Sequence, residues 1–423
     1  GVLLILSAFF IKHLLLVVPL MLGVALVYPY LFRMFVFALR PVYGSLFGFS
    51  GTIAAGNLKR NRGRSAMTSV ILCMGIAMIV LMSSLNSALI QTYERVIFAS
   101  YGGNLDVMLH HVEKTDLAQL KAVEGVKDAQ TYRLYGAIWM LDGQKRRLPV
   151  FGVDAGWIDR FPLFTASGKT QGELVVSLAN DEVLLDKISF GTWGGQVGER
   201  IELATLQGTK SFRVAAVVET MKNSGYGAFM NEQAFTDSFG VKYEKNALVL
   251  KKEGTSPLEL RERIFDRFGS RIMEMFGPED WVSIVGGTYT GSFAIINTLV
   301  ILSVIISGIG ITNTMLMNVM ERVRELGMMR AVGVTRRQLV RMVLLEGFGI
   351  GFTATAIGCG FGILLVYLTS RFMEINSLTF DFGVPGTILG IIALFGLAIS
   401  LFSSFVPASR AAKTRLSEAL RYE

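Results

Sequence analysis

Apolar and polar positions fall in long blocks along the chain rather than in the short alternations of a soluble domain. A helix crosses a bilayer with about 20 apolar residues, and five runs meet or approach that length: Leu14–Phe32, Met67–Leu85, Phe293–Met317, Phe348–Leu368 and Val384–Phe405. Gly1–Ile11 is also apolar but too short to span alone. It carries no charged n-region or small-residue cleavage site, so it reads as the end of a transmembrane helix and the chain as the C-terminal part of a longer polypeptide. The runs divide the sequence into linker helices (1–32, the first partial), an amphipathic segment (33–65), a transmembrane helix (66–90) and a polar insert (91–290). Three more transmembrane helices (291–317, 343–368 and 384–405) follow, joined by segments 318–342 and 369–383 and ending in a tail (406–423). The predicted fold class is therefore a polytopic α-helical membrane protein with a large α+β domain between its second and third full helices.

The insert has about 200 residues, enough for a core of its own. Alternation predicts strands over Asn104–His110, Leu148–Val153, Glu173–Ser177, Arg200–Leu203 and Phe212–Val218. Helical spacing predicts helices over Thr115–Val123, Asp181–Ile188 and Pro257–Phe268. Gly143, Gly198 and Gly208 stand where turns are needed. Two lobes with a break near 160–172 are expected.

Composition sharpens this picture. Of 423 residues, 52% are hydrophobic and 17% charged, against about 25% charged in soluble domains. The net charge of +8 is unevenly spread: +7 over residues 1–93, which hold no acid, −3 over 94–290 and +4 over 291–423. Positive charge beside apolar runs reads as membrane topology, not as nucleic-acid binding. Arg33, Arg40, Lys59, Arg60, Arg62 and Arg64 fill one connecting segment, Arg322, Arg324, Arg330, Arg336, Arg337 and Arg341 another, and Arg410, Lys413, Arg415 and Arg421 the tail. Threading the five helices puts all three on one side, the cytoplasmic one, and the insert on the other. Cys73 and Cys359 each lie inside an apolar run, and no disulfide framework or zinc site follows from them.

Catalytic motifs are weak. Ser167-Gly168-Lys169-Thr170 resembles the end of a phosphate-binding loop, but the required glycine is replaced by Leu163. The adjacent His110 and His111 point to opposite faces of a strand and chelate poorly. No GxSxG element occurs. The interiors of the five apolar runs hold no Asp, Glu, Lys, Arg or His, which argues against an ion-coupled transporter or pump, whose coupling chemistry needs such groups at mid-membrane. Gly308, Gly310, Gly347, Gly349, Gly351, Gly358, Gly360 and Gly362 suit close helix packing.

The informative segment is Glu321–Arg341, ERVRELGMMRAVGVTRRQLVR, charged, helix-favouring and broken by Gly327 and Gly333. Topology alone needs only a few positive charges, not acids in register with them, so a docking surface for a cytoplasmic partner is the sharper reading. Glu321, Arg322, Arg324, Glu325, Leu326, Gly327, Arg330, Ala331 and Gly333, with Leu339 and Glu346-Gly347, resemble the signature between the second and third core helices of FtsX-like (MacB-like) ABC transporter permeases. The tail is similar to that family's ending, with Pro407, Ala408, Arg410, Ala411, Ala412 and Glu418–Glu423, Ser417 standing where proline is usual. Ala55–Arg64 resembles the amphipathic approach to the family's first helix, and Gly1–Phe32 is similar to the linker helices of long permeases that carry two such cores.

The resemblance implies a multi-pass permease subunit of a bacterial cytoplasmic (inner) membrane, with no catalytic or cofactor residues of its own. ATP and Mg²⁺ would be bound by a partner, a cytoplasmic ABC ATPase dimer. A second permease core would come from a missing N-terminal half or another chain, and an extracytoplasmic adaptor, lipoprotein or hydrolase is a further possible partner. Glu321–Arg337 is implied as the coupling helix, with Glu321, Arg322, Arg324, Glu325, Gly327, Arg330, Gly333, Arg336 and Arg337 as its residues and Arg324, Glu325 and Arg330 as the leading contacts. The implied work is mechanotransmission to the outer domain, for export or extraction of an envelope lipid, lipoprotein or peptide. Alternatives within the fold are a regulator of a cell-wall hydrolase and an antimicrobial-peptide sensing or resistance permease.

Overall fold

The computed structural model describes residues 1–8, 17–60, 62–112, 114–141, 143–166, 168–206, 208–241, 244–375, 383–384 and 386–413. Ser167, residues 376–382 of the predicted 369–383 loop and the tail motif Glu418–Glu423 lie outside these residues. In chain order the elements are α1 (Val2–Ala8), α2 (Val17–Arg60), α3 (Arg62–Ser100), β1 (Leu105–Val112), α4 (Lys114–Lys121), β2 (Val126–Leu141), β3 (Gln144–Val153), α5 (Ala155–Ile158) and α6 (Gln171–Ser177). Then come β4 (Glu182–Asp186), α7 (Lys187–Trp193), β5 (Arg200–Thr205), β6 (Gly208–Val218), β7 (Ala228–Asn231), α8 (Glu232–Phe239), β8 (Glu244–Lys251), α9 (Pro257–Phe268) and β9 (Ile272–Phe276). The chain ends in α10 (Pro278–Glu321), α11 (Val323–Ala331), α12 (Arg336–Ile375) and α13 (Gly386–Lys413). Two compact units result, one of Gly1–Leu89 with Tyr289–Glu423 and one of Ile90–Thr288.

In the first unit, five helices among the described residues are long and apolar enough to cross a membrane. The first of them, α2, buries Leu20, Val24, Tyr28, Phe32 and Val36 at a spacing of four and exposes Val18, Leu22, Leu26, Tyr30 and Met34 on another face. A helix apolar all round has to be covered by protein on one side and lipid on the other. The buried stripe joins the same core as α3, α10, α12 and α13, and Tyr28 donates to Ser69 Oγ at 2.9 Å. The first apolar run is thus part of the bundle rather than a peripheral linker. Residues 33–65, predicted as one amphipathic segment, are mostly continuous with α2. The helix is redirected at Gly48 (φ 55°, ψ −134°), a conformation closed to residues with a Cβ.

The glycines of α12 set the helix spacing. A Cβ at Gly347 or Gly351 would collide with Ser404 or Ser400 of α13, one at Gly358 would lie 2.7 Å from Cys73 O, and one at Gly362 2.7 Å from Val80 Cβ of α3. Ser400 Oγ donates to Gly347 O at 2.6 Å across this contact. Without a hydrophobic driving force between helices in lipid, such close packing and interhelical hydrogen bonds hold the bundle. Gly310 and Gly360, by contrast, face open space.

The second unit has two lobes. Strands β9-β1-β8-β2 form an antiparallel sheet with α4 and α9 in the crossovers, a split βαββαβ arrangement of the ferredoxin-like kind. Its core holds Leu105, Val107, Leu120, Val249, Leu260 and Ile264. Between β2 and β8 the chain inserts a second lobe in which β2-β3-β7-β4-β6-β5 closes back on β2. Ala137, Trp139 and Leu141 alternate into its core. The lobes therefore meet within the 16-residue strand β2 and at the start of β8, not at 160–172. The latter stretch instead supplies Phe161, Leu163 and Phe164 to a core shared with Tyr132 and Leu248. Lys222, after β6, ties the lobes again: its Nζ lies 2.6 Å from Asp106 Oδ2 and 4.1 Å from the Tyr101 ring, while Tyr132 donates to the same carboxylate oxygen at 2.7 Å. Burial pushes the Lys222 ammonium below the usual lysine range, and Asp106 opposes this.

Two predicted elements are corrected. Glu173–Ser177 belongs to helix α6, and Asp181–Ile188 holds strand β4 followed by the start of α7. The remaining predicted strands and helices of the insert lie on elements of the predicted kind, and Gly143, Gly198 and Gly208 all adopt positive φ.

Candidate functional site

The segment Glu321–Arg341 is shaped by two breaks. Arg322 (φ −113°, ψ 14°) separates α10 from α11, and Gly333 (φ 103°) turns the chain after α11. Helix α12 is then started by a capping box: Gln338 N donates to Thr335 Oγ1 at 3.3 Å, and Thr335 N donates to Gln338 Oε1 at 2.8 Å.

One face of the segment is anchored. Glu325 receives both terminal nitrogens of Arg60, each at 3.0 Å, and Arg322 Nε at 3.0 Å. These hydrogen bonds hold its carboxyl below the usual carboxylate range, Arg60 contributing most. Arg322, its side chain only 10% exposed, also donates to Asn57 Oδ1 at 2.5 Å and lies 3.8 Å from Glu346 Oε2. Asn57 Nδ2 donates to Glu346 Oε2 at 3.3 Å, and Arg64 pairs with Glu321 at 2.9 Å. Leu326 and Gly327 are buried beneath. A clasp of alternating charge thus joins the end of α2, the start of α3, the α10–α11 break and the start of α12.

The other face is open. Arg324, Met328, Val332, Arg336 and Arg337 are exposed, Val332 at 88%, and Arg330 is half-buried. Arg336 and Arg337 occupy the first turn of α12, where the helix dipole favours anions over cations, so their placement is costly for the isolated chain. An apolar cleft of about 470 Å³ lies between this face and the second limb of α2, lined by Phe49, Ile53, Met328 and Val332 among others. Of the predicted site residues, the structure thus brings Glu321, Arg322, Glu325 and Gly327 together on the anchored face, and sets Arg324, Arg336 and Arg337 outward. Sequence reasoning passed over Val332 and the anchoring roles of Asn57, Arg60, Arg64 and Glu346, whose partners stand more than 250 positions away. Their signals in the sequence are the resemblance of Ala55–Arg64 and Glu346-Gly347 to the family's motifs and, for the two arginines, positive charge on the same predicted side.

The other candidates are structural. Thr170 caps α6 in a capping box with Glu173. His110 is exposed at the end of β1. Among the described residues no cluster of three or more His, Cys, Asp or Glu could hold a metal ion.

Comparison with known proteins agrees with this architecture. The FtsX-like permease C-terminal domain matches residues 297–416, and the MacB-like periplasmic core domain matches residues 65–265. An uncharacterised ABC transporter permease of Methanocaldococcus jannaschii is 22% identical over 401 residues, 88% of this chain and 97% of that one. The permease YknZ of Bacillus subtilis is 26% identical over 328 residues, 73% of this chain and 79% of that one. The macrolide export ATP-binding/permease protein MacB 2 of Aeromonas hydrophila is 25% identical over 235 residues, 52% of this chain and 35% of that one. With five membrane-type helices among the described residues, the chain thus carries an FtsX-like permease C-terminal domain and a MacB-like periplasmic core domain, and is similar to ABC transporter permeases.

Proposed function

We propose that this permease relays motion from a cytoplasmic ABC ATPase dimer to its β-rich insert on the far side of the membrane, by mechanotransmission through the helix bundle. The observation that carries the reading is the two-faced segment Glu321–Arg337. Glu321, Arg322, Glu325, Gly327 and Gly333 shape and anchor it, while Arg324, Arg336 and Arg337 are exposed in the same segment as the apolar Val332, with Arg330 half-buried between. An exposed apolar residue in a cation-rich segment suits a groove with acidic edges on a partner. ATP and Mg²⁺ belong to that partner on this reading. MacB 2 of Aeromonas hydrophila carries ATP-binding and permease functions under one name, and this supports the pairing. The apolar, uncharged span interiors fit work done on a cargo at the outer face, by export or extraction of an envelope lipid, lipoprotein or peptide, better than passage of a polar solute through the bundle. A second permease core, in this polypeptide or another, would complete the dimeric arrangement.

The test is affinity purification of the tagged protein in mild detergent, with mass spectrometry of co-purified chains, repeated for Arg324→Glu/Arg336→Glu/Arg337→Glu. Recovery of an ATP-binding-cassette subunit with the parent and its loss, by at least tenfold, with the folded variant is the expected result. Equal recovery with both, or none with either, rejects the assignment.

A further inference from the structure

The kink at Gly48 folds the second limb of α2 back on the first and opens a cleft of about 480 Å³ between them. Its mouth carries Arg33, Arg40 and Lys59, and its apolar side Tyr30, Met34 and Phe37. Arg33, Arg40 and Lys59 are exposed, with no hydrogen bond or ion pair to other described residues, and residues 1–93 contain no acid to neutralise them. Tyr30, Met34 and Phe37 are 75%, 59% and 75% exposed. They continue the outward apolar stripe that Val18, Leu22 and Leu26 begin. The cleft thus joins an apolar track running along a membrane helix to three cations that are unpaired among the described residues, where the basic segment begins. We propose that it is a binding site for an anionic phospholipid, the phosphate headgroup held by Arg33, Arg40 and Lys59 and the acyl chains laid along the Tyr30–Met34–Phe37 stripe.

Charge and shape select this occupant. A soluble anion would use the cations but leave the apolar track uncovered, and a zwitterionic lipid would bring its own cation into a mouth that holds three. The volume is within the range of built ligand pockets. Arginine and lysine stems lie along apolar surface while their heads reach phosphate level, and aromatic side chains stand at that depth of a bilayer. The site depends on the chain lying in a membrane, and is independent of any ATPase partner.

Native mass spectrometry of the full chain, released from mixed micelles of equimolar phosphatidylglycerol and phosphatidylcholine, tests it. The parent is expected to retain phosphatidylglycerol in preference to phosphatidylcholine. Arg33→Gln/Arg40→Gln/Lys59→Gln should cut that preference by about fivefold per cation removed. Gly56→Trp keeps all three cations and fills the cleft from a position where an added side chain meets nothing within 4 Å; it should displace the lipid outright, and it decides the case if the triple variant fails to fold. No preference in the parent overturns the proposal. So does a preference that survives Gly56→Trp, or a photo-crosslinker at Met34 that captures a protein subunit instead of lipid.

Discussion

Arg322 and Arg324 are two positions apart in one signature and have opposite fates. Arg322 sits at the α10–α11 break with its guanidinium among Asn57, Glu325 and Glu346, and Arg324 points outward from α11. Removing one partner of a buried charged group leaves the other uncompensated, which costs about 3 kcal/mol or more. An exposed side chain without such ties costs within about 0.5 kcal/mol. Arg322→Ala should therefore lower the stability of the first unit by about 3 kcal/mol, while Arg324→Ala leaves it unchanged; thermal unfolding of the detergent-solubilised variants reads both. Equal effects would mean that the clasp does not hold in solution. The sequence motif alone treats both arginines as one class of residue. What separates them is the φ/ψ break at Arg322, which turns its side chain inward, and no local pattern signals it.

Elements were legible where one signal dominated. The long apolar runs became membrane helices because length and hydropathy leave no alternative. Pro257–Phe268 was predicted to its boundaries because Pro at its start, Gly269 after its end and its amphipathic spacing agree. Glu173–Ser177 was misread because its β-branched pair suggests a strand, whereas the Thr170–Glu173 capping box, visible as T-x-x-E, decides for a helix. Asp181–Ile188 was misread for the opposite reason. Its charged ends suggest a helix, but β4 is buried at all five positions, as a strand paired on both sides is. The glycines of the bundle were read as packing residues, and the structure divides them into two kinds. Gly351→Ala places a methyl group against Ser400, and Gly360→Ala places one in open space. The first is expected to lower the melting temperature of the purified permease by several degrees through separation of α12 from α13. The second should leave it unchanged or raise it slightly, since Ala is the better helix former by about 1 kcal/mol. Matching losses in the two variants would mean that the contact of Gly351 with Ser400 does not set the effect.

At the scale of the whole molecule, the order of helices and insert could be read from the chain, but the insert's topology could not. Its two lobes share β2, and the β2–β8 and β1–β8 pairings join residues over 100 positions apart, so nothing local announces them. The clasp is the same kind of object: Arg60 and Arg64 reach Glu325 and Glu321 across 265 and 257 positions. Each exposed pair contributes little to stability on its own, and their value lies in holding the signature segment to α2 and α3. On the proposed function, this makes docking and relay separable. Arg60→Ala/Arg64→Ala removes the clasp's exposed pairs and leaves Arg324, Val332, Arg336 and Arg337 untouched, so an ATPase partner should still co-purify at close to the parent's level. Motion of the partner would then be transmitted to a segment no longer tied to the bundle. In proteoliposomes, the dependence of the partner's ATP hydrolysis on the permease should fall by about tenfold while binding persists. If binding falls with coupling, Arg60 and Arg64 belong to the docking surface itself. If neither falls, the buried Arg322–Asn57–Glu346 group alone carries the relay.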